Sequence, residues 1–348
     1  MLSFSIFEFH SFQNIEEFSQ RIQRGAEVRR SVRGWTEDLI SEVRVVNGFS
    51  LEEFERVQIE NQTLQYLFFQ GYTERKKNET EWYNADGTLK SKDLRINSTI
   101  IDILVVEINN CLYGIVFAGI NRAKAIVKDI FTVECWGHVT PLEFNISEDL
   151  LYWIFKRFID TPREPLSEGQ QVYITALESY MGKTRDRVNA MRGEGSRIST
   201  ILGTLTFLFN NEELKAIRPA IQYGFERVLL EIGLTGTFKT WPQEYRGHAF
   251  MQLTGTRKNN AIAIYIFNTI IPLLISCYEE NCERDHWSPQ LKIDFVRRLG
   301  NIIRTKVEEV LRRIEQENGQ LASGIEEYDD LDDLDDLDDL EIEDEDEL

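Results

Sequence analysis

Apolar and polar residues alternate with two different periods along this chain, and each change of period marks an element. From Ser3 to Phe9 they alternate by two, which predicts a strand. Residues 15–31 carry a basic amphipathic pattern after Asn14, a suitable N-cap, and predict a helix. Residues 51–59 read as a short acidic helix and residues 64–73 as a strand. Asn84-Ala85-Asp86-Gly87 is a turn signal within a polar stretch. Two apolar runs, Ile100–Ile108 and Leu112–Ala118, flank Asn109-Asn110 and predict a β-hairpin. Helices are expected over 119–131 and over 148–159, the latter after an Asn145/Ser147 cap region.

A second unit begins near Pro162–Gly169. Gln171–Glu178 reads as a strand, Gly182–Gly195 as a basic loop and Ile198–Phe209 as a helix. Ile217–Tyr223, Val228–Ile232 and Thr235–Thr240 alternate like antiparallel strands, with turns at Gly224 and Gly233. Arg257–Tyr278 and Gln290–Glu317 are two long C-terminal helices, the second ending near Gly319. Neighbouring hairpins with grouped helices predict an α+β fold. Its expected divisions are an N-terminal unit (1–162), a C-terminal unit (163–320) and a tail (321–348).

The tail repeats Asp-Asp-Leu four times from Asp329 to Leu340. Two acids in every three residues repel one another in any compact state, so the free tail is expected to be disordered. It also changes the meaning of the charge. The chain has 59 acidic and 39 basic residues, a net charge of −20. Sixteen of the acids lie between Glu326 and Leu348 with no Lys or Arg, leaving 43 acids against 39 bases in residues 1–325. The body is nearly neutral, so overall acidity does not exclude a polyanionic partner.

Four cysteines in 348 residues are too few for a disulfide scaffold. The N-terminus has no basic stretch of the kind that opens a signal peptide, and a cytoplasmic protein is expected. Ala261–Tyr278 is eighteen residues without a charge. Asn268, Thr269, Pro272 and Ser276 interrupt it, and it reads as a buried helix kinked at Pro272, with a membrane-inserting helix as the alternative.

Chemistry is sparsely signalled. Gly182-Lys183-Thr184 lacks the earlier glycine, with four residues between, that a phosphate-binding P-loop requires; that position is Leu177. Cys135 with His138, and Cys277, Cys282 and His286, offer metal ligands without paired-knuckle spacing, and no metal or other cofactor is expected. Asp102 and Glu107 are candidate nuclease acids, but five residues apart on one strand they point to opposite faces, and Glu107-Ile108-Asn109 lacks the usual lysine. The most informative segment holds Lys183, Arg185, Arg187, Arg192 and Arg197 among Gly182, Gly193 and Gly195, a composition suited to phosphate contact. Trp82 and Trp241, in polar surroundings, are candidates for stacking a base.

These features predict a non-catalytic interaction protein that binds an anionic partner, nucleic acid first, either DNA or RNA. Asp329, Asp330, Asp332, Asp333, Asp335, Asp336, Asp338 and Asp339 would act as an autoinhibitory decoy for the basic segment. A subunit of a prokaryotic nucleic-acid-processing or antiviral defence complex fits this reading. The alternatives are a protein–protein adaptor that uses the tail as its recognition peptide, a metal-dependent nuclease, and a membrane-disrupting effector. No stable membrane association is expected.

Overall fold

The computed structural model describes residues 1–25, 27–31, 37–186, 188–195 and 200–326, the last nine by backbone alone. The strands are β1 (Leu2–Phe9), β2 (Val28–Arg30), β3 (Leu39–Arg44), β4 (Glu55–Ile59), β5 (Gln62–Lys76), β6 (Ile96–Ile108), β7 (Cys111–Val116), β8 (Val139–Pro141), β9 (Val172–Lys183), β10 (Ala190–Glu194), β11 (Glu213–Tyr223), β12 (Glu226–Gly233) and β13 (Phe238–Thr240). The helices are α1 (Ile15–Gln23), α2 (Lys92–Arg95), α3 (Ile120–Ile130), α4 (Val133–Trp136), α5 (Glu148–Asp160), α6 (Leu202–Phe209), α7 (Gly255–Tyr265), α8 (Ile271–Glu283) and α9 (Pro289–Glu326). The strands form one antiparallel sheet in the order β10-β9-β11-β12-β13-β1-β7-β6-β5-β3-β2, with β4 on β5 and β8 on β1. The fold is α+β, as the grouping of hairpins and helices predicts.

β1 joins the two runs of strands because its two ends have different neighbours. Leu2–Phe4 pair with β13, and Ser5–Phe9 pair with β7. Its side chains also divide by face. Phe4 and Ile6 enter one core with α5, α7 and α8, while Phe7 and Phe9 enter a second core with α1 and α3. The β5–β6–β7 part of the sheet is therefore apolar on both faces. The β9–β13 part buries Ile174, Ile217, Leu230 and Phe238 on the first face. Its other face carries polar and small side chains such as Ser179, Ala216, Arg218 and Lys239.

Local signals explain several elements directly. Asn109 and Asn110 both adopt positive φ, 52° and 63°, as a two-residue hairpin turn requires. The Asn14 side chain accepts from the Glu17 N–H at 2.8 Å, and Ser147 caps α5 through the Leu150 N–H at 3.1 Å.

Other elements differ from the sequence-based expectation. The helix expected over 15–31 ends at Gln23, and Gly25 at φ 107° redirects the chain into β2. The acidic helix expected over 51–59 is instead bend and strand: Val57 and Ile59 are buried and alternate with polar residues, and Glu60 at φ 51° turns the chain into β5. Gly233 is the last residue of β12, and Gly236 at φ 73° occupies the turn to β13. α9 continues past Gly319 to Glu326. The expected kink at Pro272 is a π-helical turn over Ile266–Ile270, one residue before the α8 start that Pro272 follows. The apolar stretch of α7 and α8 is long enough to cross a membrane, but 61% of it is buried inside the protein, where it forms core. The Asp-Asp-Leu tail lies outside the described residues.

The expected basic loop over Gly182–Gly195 is largely the β9–β10 hairpin. Gly182 lies in β9, opposite Met191 and Leu214. A methyl group there would overlap the Phe207 ring and approach the Glu213 carbonyl oxygen to 2.7 Å. This glycine is needed for close packing of α6 on the sheet, not for cradling phosphate. Gly182→Ala is expected to cost about 1–3 kcal/mol in urea unfolding, while Lys183→Ala leaves stability unchanged.

Candidate nucleic-acid interface

Antiparallel register decides which charged residues share the outer face of the β9–β13 half-sheet. Arg192 lies opposite Met181, Glu194 opposite Ser179, Arg218 opposite Ser179, and Lys239 opposite Glu231. Trp241 follows β13 directly. The Arg218 guanidinium lies over the Trp241 ring, 4.7 Å from its centroid. Arg192, Arg218, Lys239 and Trp241 thus border one cavity of about 250 Å³ together with Ser179 and Met181.

Carboxylates accompany each of these cations. Arg218 Nη2 donates to Glu194 Oε1 at 2.5 Å, and Arg192 Nη2 lies 3.1 Å from Glu194 Oε2. Arg218 Nε lies 3.8 Å from Glu178, an ion pair too long to be a hydrogen bond, and this buried nitrogen has no hydrogen-bond acceptor among the described residues. Lys239 Nζ donates to Glu231 at 2.5 Å. The hydrogen bond and charge of Arg218, helped by Arg192, hold the Glu194 carboxyl below its ordinary value. The face is therefore a balanced array of three cations and three carboxylates around an indole, rather than a positive patch.

The sequence-predicted residues divide accordingly. Arg192 and Trp241 meet at this cavity. Lys183 and Arg185 are exposed at the β9 end of the hairpin. The Arg185 N–H is bonded to Glu212 at 2.7 Å, and the Gly195 N–H to the Glu178 carbonyl at 2.8 Å, so these amides are not open to an anion. Arg187 and Arg197 lie outside the described residues. Trp82 is a correction: it is buried, its Nε1 donates to the Lys77 carbonyl at 3.0 Å, and it has no free face for a base. It lies beyond the β5 end, in the other run of strands.

Arg218, Lys239, Glu178 and Glu231 were not singled out in the sequence. Arg218 sits between Ile217 and Pro219 and is the one charge in the otherwise apolar run Ala216–Ile221 of β11, and that interruption is the available signal.

Neither a protein-family model nor a curated protein matches this chain. Asp102 accepts from Gln70 Nε2 at 2.9 Å, and Glu107 accepts the Ile15 N–H at 3.0 Å, which ties α1 to β6. The two acids face opposite sides of β6 and do not form a pair for catalysis. Among the described residues no three His, Cys, Asp or Glu side chains gather as a cation site. Burial pushes the Cys277 thiol up to about 11, the behaviour of a packed core thiol.

Proposed function

We propose that the protein is a non-catalytic, cytoplasmic interaction protein that holds nucleic acid, preferably single-stranded, on the outer face of the β9–β13 half-sheet. The supporting observation is the convergence of Trp241 with Arg192, Arg218 and Lys239, which come from β10, β11 and β13, Trp241 being the residue directly after β13. An aromatic ring beside cations suits stacked bases with flanking phosphates. Glu178, Glu194 and Glu231 compete for the same cations, so phosphate binding exchanges ion pairs rather than filling empty ones. Binding in this reading is modest and strongly weakened by salt. The acidic tail adds a second competitor in the same sense, and a role as a complex subunit follows if a partner removes it.

Fluorescence anisotropy with a labelled single-stranded oligonucleotide tests this. Trp241→Ala is expected to weaken binding by about 5- to 150-fold, the range for loss of one stacked base. Arg192→Ala should reduce the salt slope by about one. Truncation after Ile325 should tighten binding. Equal affinity across these variants would remove both the interface and the decoy. The charge balance of the face favours one second reading, a protein–protein adaptor. Capture of a protein partner by the isolated Asp-Asp-Leu peptide, with no oligonucleotide binding, would select it.

A further inference from the structure

Among its described side chains, α9 is anchored through its first half. Phe295 and Leu299 are buried, Ile302 and Ile303 pack against the core, and the Phe209 ring lies close to Gly300. From Arg304 to Glu317 no residue is buried. Yet this projecting half carries an apolar stripe: Val307, Val310, Leu311 and Ile314 are each 39–53% exposed. At about 100° per residue, Val307 and Ile314 lie about 20° apart at the centre of one face, with Val310 and Leu311 on either side.

The charges around that stripe are arranged antisymmetrically about its centre. Reading outward from the Val310–Leu311 bond, the N-terminal side runs Glu309, Glu308, Val307, Lys306, Arg304. The C-terminal side runs Arg312, Arg313, Ile314, Glu315, Glu317. Each acid on one side mirrors a base on the other, and each apolar residue mirrors an apolar residue. On the helix surface, Arg304 and Glu315 share one flank of the stripe, while Lys306 and Glu317 share the opposite flank.

We infer that α9 is a self-association surface whose occupant is α9 of a second copy of this chain, running antiparallel about a two-fold axis between Val310 and Leu311. Such an axis sets Val307 against Ile314 of the second copy and Val310 against Leu311 of the second copy. It also sets Arg304 beside Glu315 of the second copy and Lys306 beside Glu317 of the second copy, each pair made twice. A parallel pair would place Arg304 beside Lys306 and Glu315 beside Glu317, like against like. It would also bring two tails of sixteen carboxylates out of the same end, whereas the antiparallel pair sends them apart. The apolar stripe supplies the attraction, and the flanking charges select the orientation. This inference is independent of nucleic-acid binding, because it uses no residue of the sheet face.

Sedimentation equilibrium of the full chain tests it. A monomer–dimer equilibrium is expected below about 100 μM chain, with Leu311→Asp weakening dimerisation at least about tenfold. Glu315→Lys with Glu317→Lys should weaken it comparably, and adding Arg304→Glu with Lys306→Glu should restore it, which a folding defect would not permit. Orientation is read by disulfide trapping in a background with Cys111, Cys135 and Cys282 changed to serine. Leu311→Cys should cross-link, because its two copies lie near the axis. Arg304→Cys should not, since its two copies lie about 20 Å apart along an antiparallel pair. A strictly monomeric chain, or cross-linking through Arg304→Cys instead of Leu311→Cys, would overturn the proposal.

Discussion

Phe18→Ala is expected to lower the free energy of unfolding by about 3–5 kcal/mol, read as a fall in the urea midpoint with an unchanged slope. Phe18 has no exposed surface and is the hub of an aromatic cluster. Phe9 lies 4.9 Å away, Phe12 5.2 Å and Trp136 5.3 Å between ring centroids, with Phe131 and Phe69 at 6.2 and 6.3 Å. The Phe9, Phe12 and Phe131 contacts include edge-to-face or tilted geometries, which add to the burial of area. These rings come from β1, the β1–α1 connection, α1, β5 and the α3–α4 region. Truncating the hub removes its own burial and leaves a cavity that five neighbours on separate elements cannot close together. Phe18→Leu keeps most of the volume and should cost markedly less, which separates the cavity from any change in α1 propensity.

The second large effect is expected at Asp149, at the start of α5. Its Oδ2 accepts from Trp287 Nε1 at 2.6 Å and from the Tyr278 hydroxyl at 2.9 Å, and its Oδ1 lies 3.1 Å from Lys292 Nζ. The carboxylate thereby ties α5 to α8, to the α8–α9 connection and to α9. Burial alone would raise its pKa, but the hydrogen bonds from Trp287, Tyr278 and Lys292 and the Lys292 charge outweigh burial and lower it. Asp149→Ala should destabilise by about 2–3 kcal/mol, with the Lys292 share discounted because the carboxylate is partly open to water. The pH dependence has a definite sign. A group with a lowered folded-state pKa contributes fully above its ordinary value of 3.8 and loses that contribution as pH falls through the lower folded value. Stability of the wild-type chain should therefore decline below about pH 4, and Asp149→Asn should show a shallower decline.

Individual elements show why some readings succeed and others fail. The Ile100–Ala118 hairpin was legible because its signal is entirely local: two alternating apolar runs and two residues that tolerate positive φ. α5 was legible for the same reason, with a cap, an acidic first turn and a run of apolar residues. The 51–59 segment misled because its acids suggest a helix, whereas its strand state depends on pairing with β5. The Gly182–Gly195 segment misled in a different way. Its glycines and arginines resemble an anion loop, but Gly182 is required by Phe207, a residue 25 positions later, and the Gly195 amide is taken by Glu178. Polar sequence neighbours suggest that Trp82 is exposed, yet it is buried, with its Nε1 bonded to the Lys77 carbonyl and Lys76 Nζ over its ring.

The chain's own pattern settles the α+β class, the main hairpins and helices, the near-neutral body with its polyanionic tail, and the antisymmetric charge order of α9. All of these depend on residues within a few positions of one another, where spacing and charge act directly. The outer-face array was decided only in three dimensions. Glu194 and Arg218 lie 24 residues apart, Arg218 and Trp241 lie 23 apart, and Lys239 meets Glu231 across a turn. Antiparallel register places them side by side, because a strand fixes which face a residue occupies but its partner strand fixes what it meets. The same register turned an expected basic loop into paired charges around Trp241.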